Sequence, residues 1–541
     1  MLRSIELQNF KCFGEPARIP IAPITLIFGQ NSAGKSSILQ AFYLLMQTRR
    51  CGDGDIPLLF RAENGLADLG NFEELVYDHE YDSRCISIRV DVDFECPRTA
   101  NEQTKRWFKS IDADTMGLKI AFQRANDGEV GLHAFELYVG NDAEPLARFE
   151  CSGTLPDCDP DDPFAPNCFT CVKLSRNPKY WACDFEGKAE QCRSIEEVKA
   201  RWQRDLAEKM ATSSPELVES EETFTRWMEN LLEDMEGASS AEAFADVYVA
   251  RVARRELSFK VVRSEYFLPG TVCDKGHPQW DERSLLEVSL GAPGKECSGS
   301  FIIPCLDPAT LLLASACGVD DAVASLLALG PLRARPERFY MFSGSTPKGV
   351  GFNGERTAEL LYRSPDLLEE VNSWLDQLDM SYAVEVNKLE AKYASMFELR
   401  LKDMKRLGHP TVALSDVGFG VSQILPLVVQ GLIAKSRTIL VEQPEIHIHP
   451  ALQAGLGTFL AHCVKTKNNR FIVETHSEHL ILRLQRSIRR GILSHQDVSI
   501  ICVSRGSNGS TTRQMRLDDR GEFIDDWPDG FFTERLRELL D

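Results

Sequence analysis

The stretch ITLIFGQNSAGKSSILQAFYLLMQTRR, residues 24–50, decides what kind of fold this chain adopts. An apolar run stops at Gly29, a small-residue loop follows, and a helical pattern starts near Lys35. Ile38, Leu39, Phe42, Leu45 and Met46 then recur near helical spacing. Gly29 to Ser36 fits GxxxxGK[ST] in the strand, loop and helix context that the motif requires. Backbone N–H groups in such a loop and in the first turn of the helix converge on phosphate oxygens. Gly29, Asn31, Ser32, Gly34 and Ser37 are therefore expected to line the phosphates. Lys35 should reach the β- and γ-phosphates, and the Ser36 hydroxyl should ligate Mg²⁺.

A second stretch, TILVEQPEIHIHP at 438–450, again runs an apolar strand into an acid. Residues 438–442 are expected to form the strand, with Glu442 as the magnesium-side acid. Upstream, DVGFGVSQ at 416–423 precedes an apolar helical pattern over 422–435. Small residues and a serine at a helix N-terminus make a second anion site. A further strand, 470–474, leads into Thr475-His476-Ser477, where His476 is placed to contact a γ-phosphate.

This order of motifs resembles ABC-type ATPases of the OLD and RecF/SMC-like group: an N-terminal P-loop, a long insertion, GxSQ, an acid-ended strand with PExHxHP, and THSEH. The opening NFKCF also matches and suggests that Lys11 lies near the nucleotide. The resemblance implies an α/β head, a mixed sheet with flanking helices, carrying a large, partly helical insertion. It implies ATP and Mg²⁺ as cofactors, with Ser36 and Glu442 on the metal. Gly420, Ser422 and Gln423 would complete the site of a partner copy, giving an ATP-linked dimer or higher oligomer. LGPLRARPERFY (329–340), VGFNGERTAELL (350–361) and DDWPDGFFTERLRELL (525–540) are similar to a bacterial OLD-like subgroup with a small C-terminal domain. Its members resemble PtuA-type antiphage ATPases. OLD proteins proper add a TOPRIM nuclease, which needs a Glu and a DxD acid set. Asp518-Asp519 and Asp525-Asp526 read as turn acids instead, so a nuclease is expected from a partner protein.

The departure from that group is Gln443, which stands where the carboxylate that activates water is usual. A general base typically contributes ~10²–10⁴-fold. Phosphoryl transfer draws most of its catalysis from positioning and electrostatics, so a glutamine that orients water retains part of the effect. Glu445 lies two residues on and ~6–7 Å away along a strand, reachable only through a relayed water. It reads equally as a helix-entry acid before His447.

Pattern divides the 541 residues into 1–95 and 401–515 as the two parts of the head, with 96–325 as a Cys-rich insertion of helix and loop. Residues 326–400 form a return segment with a helical lid, and 516–541 a small C-terminal segment. Helices are expected over 195–211, 215–235, 240–255 and 365–395. Strands are expected over 85–95, which alternates like an exposed face, and over 117–123 and 133–139. The sequence is 43% hydrophobic and 26% charged, with a net charge of −20. A stand-alone sequence-independent DNA binder is usually basic. DNA contact would need a partner or a local patch, either Arg333-Arg335-Arg338 or Arg483-Arg486-Arg489-Arg490.

Sixteen cysteines without a secretory signal suit free thiols in a reducing cytoplasm. Cys168 and Cys171 have zinc-like spacing, with Cys158 and Cys183 as further ligands, but no second CxxC completes the set. His447 and His449 could chelate, yet sit in the loop that pairs with the other head in the group resembled. No membrane span is expected, because Asp320 and Asp321 break the longest apolar run. The preferred expectation is a cytoplasmic ATPase that dimerises on ATP and regulates an effector, of nuclease class, in bacterial antiphage defence. The alternative is a DNA repair or recombination ATPase that binds DNA itself.

Overall fold

The computed structural model describes residues 1–51, 57–94 apart from 63 and 64, 113–124, 130–154 apart from 141, 167–174, short strands between 258 and 289, and 308–526 apart from 343, 345, 346 and 390–395. The chain divides into two compact units. One holds 1–3, 48–59 and 80–322; the other holds 4–47, 60–79 and 323–541.

The second unit is built on a six-stranded sheet. Its strands are β1 (Ile24–Gly29), β2 (Leu326–Leu329), β3 (Thr438–Glu442), β4 (Arg470–Glu474), β5 (Val498–Gly506) and β6 (Gly509–Met515), in the order β2-β3-β4-β1-β5-β6. All neighbours are parallel except the β5–β6 pair. Parallel strands covered on both faces must be apolar almost throughout. That is why β1 is buried at every position and why TILV and FIVE run without a polar break until their acids. Helices join the strands: α1 (Lys35–Cys51), α2 (Phe419–Ile433), α3 (Pro450–Lys467) and α4 (Glu478–Arg489). Pro450 stands in the first turn of α3, where its missing N–H is harmless, and His449 caps that end through Nδ1. Asn468 closes α3 in the left-handed conformation. One face of β1, Ile24, Leu26 and Phe28, enters a core that includes Trp374 edge-on against Phe459 at 5.1 Å.

The first unit is an antiparallel meander: Ile86–Asp93, Thr115–Arg124, Val130–Val139, Ala147–Thr154, Asn167–Leu174, Ser258–Val261 and Glu287–Ser289. The helix Pro308–Ala324 follows, and Asp320 in it is gripped by Nε and Nη2 of Arg49 at 2.6 and 2.9 Å. No helix among the described residues is long and apolar enough to cross a membrane.

Several expectations need correction. The strand Ile86–Asp93 is buried on both faces up to its last residue, so its polar residues are internal. Arg89 satisfies one of them, Asp91, at 2.8 Å and lies over the Tyr138 ring. The described part of 96–325 is mostly strand rather than helix and loop. The helices expected over 195–211, 215–235 and 240–255 lie outside the described residues, as do Cys158 and Cys183. Cys168 and Cys171 lie in the strand Asn167–Leu174. The helix expected over 365–395 stops at Gln377 and gives way to the strand Tyr382–Lys388. Asp379 and Ser381 adopt positive φ, and Asn372 brackets Val384 with two hydrogen bonds, so the chain reverses there.

Candidate functional site

The loop after β1 is shaped by two glycines. Gly29 has φ +146°, and a Cβ there would lie 2.1 Å from the Val503 carbonyl oxygen. Gly34 has φ +100°, and a Cβ would meet Cys12 Sγ at 2.1 Å. The turn holding Cys12 is itself tied down by Ser510 N–H, which donates to the Cys12 carbonyl at 2.7 Å. Gly34→Ala is therefore expected to displace the loop and lower ATP affinity by about tenfold or more, read by titration with a fluorescent ATP analogue. Wild-type affinity in that variant would contradict this account of the loop.

Lys35 is buried, and its ammonium donates back to the Gly29 and Gln30 carbonyls at 3.1 and 2.7 Å. Burial holds its pKa below the ordinary lysine value, against the nearby carboxylates of Glu474 and Glu445. Ser32 sits at φ +58° in the same loop. Ser37 N–H closes a turn onto the Gly34 carbonyl at 3.2 Å. Lys11 also has positive φ, and its Nζ donates to Gln40 Oε1 on α1 at 2.7 Å.

At the ends of β3 and β4, Glu442 and Glu474 are register partners, so both side chains project to one face of the parallel pair. Ser36 and Tyr43, two turns apart on α1, each meet one of them. Ser36 Oγ donates to Glu474 Oε1 at 2.9 Å. Gln443 Nε2 donates to the same oxygen at 3.3 Å, and Gln443 N–H to the Glu474 carbonyl at 2.8 Å. Glu474 is 1% exposed, and its Oε2 has no hydrogen-bond partner.

Glu442 has different company. Tyr43 and Arg333 face it, and burial raises its pKa above the ordinary carboxylate value. The Tyr43 hydroxyl, buried and pushed well up by desolvation, faces Glu442 without meeting hydrogen-bond geometry. Burial lowers Arg333 to about 10, and its Nε and Nη1 are buried without partners. Arg333 therefore cannot belong to a surface patch for DNA, and Arg338 is paired with Asp416 at 2.8 Å. The other candidate patch does present Arg486, Arg489 and Arg490 on the exposed side of α4.

Both carboxylate oxygens of Glu445 accept hydrogen bonds from the loop after β4. Its Oε1 accepts from His476 N–H at 2.6 Å and its Oε2 from Thr475 Oγ1 at 2.8 Å. It thus bridges the loop after β3 to the loop after β4. His476 has an exposed ring, and its pKa is lowered by partial desolvation and then by the charge of Lys35, which places it beside the P-loop. His449 spends Nδ1 on the α3 cap. Among the described residues no group of three or more His, Cys, Asp or Glu side chains could hold a metal by itself. Mg²⁺ on a nucleotide asks for less, one or two protein ligands beside the phosphates. The Ser36 hydroxyl and the unpartnered, buried Glu474 Oε2 fit that need.

Gly418 caps α2, Gly420 and Ser422 fall in its first turn and Gln423 follows, because the helix begins at Phe419 rather than near 422. These residues sit on a different element from the P-loop and the carboxylates.

Sequence reading missed Glu474, Tyr43 and Arg333. For Glu474 a signal existed, since an acid closing a buried strand beside the P-loop strand is out of place unless it has work. For Tyr43 and Arg333 the partner, Glu442, is far away in sequence.

A phosphate loop on an interior parallel strand, acids ending the next two strands on one side of it and a glycine-serine helix start define a P-loop ATPase head. The chain belongs to the AAA ATPase domain family, which matches residues 1–213 and 355–481. It is 32% identical over 93 residues to a protein named OLD nuclease from Thermus scotoductus, a match covering 17% of this chain and 15% of that relative's length. Among solved structures it is similar to the Smc head domain bound to the C-terminal domain of ScpA from Pyrococcus furiosus, 12% identical with a TM-score of 0.38, covering 100% of this chain and 99% of that one. It is also similar to the SMC head domain from Thermotoga maritima, 10% identical with a TM-score of 0.35, covering 95% and 99%.

Proposed function

We propose that the chain binds Mg·ATP at the P-loop and hydrolyses it slowly, and that ATP closes a head-to-head dimer controlling a partner effector. In that dimer Gly420, Ser422 and Gln423 of one copy meet the nucleotide of the other. The effector is of nuclease class and the setting is bacterial antiphage defence, a reading that rests on the sequence resemblance of 329–340, 350–361 and 525–540 to PtuA-type ATPases.

The observation that carries the proposal is the convergence of Lys35, Ser36, Gln443 and Glu474 at the end of the central strands, with an amide where a base is usual. The loop amides and Lys35 bind the phosphates, and Ser36 with an adjacent acid holds Mg²⁺. The bound metal neutralises charge that develops on the phosphoryl oxygens. Gln443 can orient water but cannot take its proton, which slows turnover without abolishing it. Glu445 and Thr475 set His476 beside the γ-phosphate.

Single-turnover hydrolysis is expected below about 10 s⁻¹, the typical enzyme median. Light scattering should show ATP-dependent dimers. Mixing Lys35→Ala with Ser422→Arg chains should restore part of the activity that each lacks alone, because one composite site then stays intact. Fast turnover would overturn the slow hydrolysis, and absence of complementation would remove the shared site.

A further inference from the structure

We propose that Glu474, rather than Glu442, is the acid that faces Mg²⁺ beside Ser36. The inference rests on the reading that the P-loop holds Mg·ATP.

The P-loop serine marks where the metal must lie, because its hydroxyl is the expected ligand. The carboxylate touching that hydroxyl is Glu474, at 2.9 Å. A hydroxyl that donates to a carboxylate keeps its lone pairs for a cation, and the carboxylate raises its basicity. One oxygen of Glu474 accepts from Ser36 and Gln443, while the other is buried with no partner. A carboxylate oxygen left so in a folded protein is costly, more so than an unpaired neutral group. A cation at that oxygen removes the cost.

Glu442, at the end of β3, makes no hydrogen bond to Ser36. It lies against Tyr43, two turns further along α1 from Ser36, and against the Arg333 guanidinium. Gln443, at φ +41°, leaves the strand and reaches Glu474 with its side-chain amide. A glutamate at that position would set a second carboxylate against Glu474 Oε1. The glutamine at 443 and the acid at 474 thus read as a matched pair: the negative charge has moved to the neighbouring strand.

The test is Mg²⁺-dependent binding of a fluorescent ATP analogue by the full chain, which requires no turnover. Glu474→Gln is expected to raise the Mg²⁺ concentration for half-maximal binding about tenfold or more, with affinity in EDTA within about threefold of wild type. Glu442→Gln should shift the Mg²⁺ dependence less than about threefold. Glu474→Asp, which keeps the charge on a shorter arm, should fall between, and covers the case in which Glu474→Gln does not fold. The opposite pattern, a large shift for Glu442→Gln and none for either Glu474 variant, overturns the assignment. So does failure of both Glu474 variants to fold, which would make the residue structural. A wild-type chain that binds no ATP refutes the ATPase reading itself, a separable result.

Discussion

Lys35→Ala is expected to weaken Mg·ATP binding by about a hundredfold while the chain stays folded. In the free loop the ammonium is satisfied only by the Gly29 and Gln30 carbonyls, and burial holds its pKa down. The free state therefore carries a poorly solvated cation aimed at the place where phosphates belong. Phosphate oxygens replace carbonyls with charged acceptors, and charge-assisted hydrogen bonds are worth ~1.5–3 kcal/mol each. Loss of one to two such bonds corresponds to about a hundredfold in affinity. The fold should tolerate the change. Gln30 is exposed, so water reaches the freed carbonyl there, and alanine continues α1 at its first residue without strain. Calorimetric titration with Mg·ATP, beside a melting curve, separates the two effects. An affinity within about threefold of wild type would show that phosphates do not bind here.

What could be read beforehand follows from range. The strands 438–442 and 470–474 appear within the expected bounds because a parallel strand covered on both faces is an unbroken apolar run, and each run stops at an acid. α1 is equally plain, since the P-loop dictates where it starts. Errors arise where a local pattern is overruled from afar. DLLEEVNSWLDQ and YAVEVNK both permit helix by composition, and only the reversal at Asp379 and Ser381, with Asn372 held on Val384, separates helix from strand. Residues 86–93 alternate in polarity, yet the strand is buried on both faces, with Arg89 paired to Asp91 and lying over the Tyr138 ring of another strand, a packing against neighbours that no window along one strand can reveal. The P-loop residues stand together as motif spacing implies. The contact between Gln443 and Glu474 needs β3 and β4 side by side in register, which is tertiary information.

Glu445→Ala is expected to destabilise the ATPase unit and impair hydrolysis more than ATP binding. Both Glu445 oxygens are engaged, one by the His476 amide and one by the Thr475 hydroxyl. Alanine leaves those two donors facing a void. Each unsatisfied buried donor costs ~1–3 kcal/mol, and the exposed His476 side lets water relieve part of it. A net loss of about 2–4 kcal/mol lowers the melting temperature by roughly 5–15 °C for a unit of this size. Glu445→Gln keeps one acceptor and presents an amide to one donor, so it should lose about half as much. The functional effect follows from the same bonds, because the backbone that carries His476 is fixed by Glu445 rather than by its own ring. Once that loop drifts, His476 is misplaced, and errors of about 1 Å in positioning cost on the order of 10²-fold in rate. P-loop contacts to the α- and β-phosphates do not pass through Glu445, so ATP affinity should change by less than about fivefold. A proton-relay role makes a different forecast: Glu445→Gln would slow hydrolysis as much as Glu445→Ala while leaving the melting temperature in place. Thermal melts and single-turnover rates on the two variants therefore distinguish a carboxylate that holds a loop from one that handles a proton.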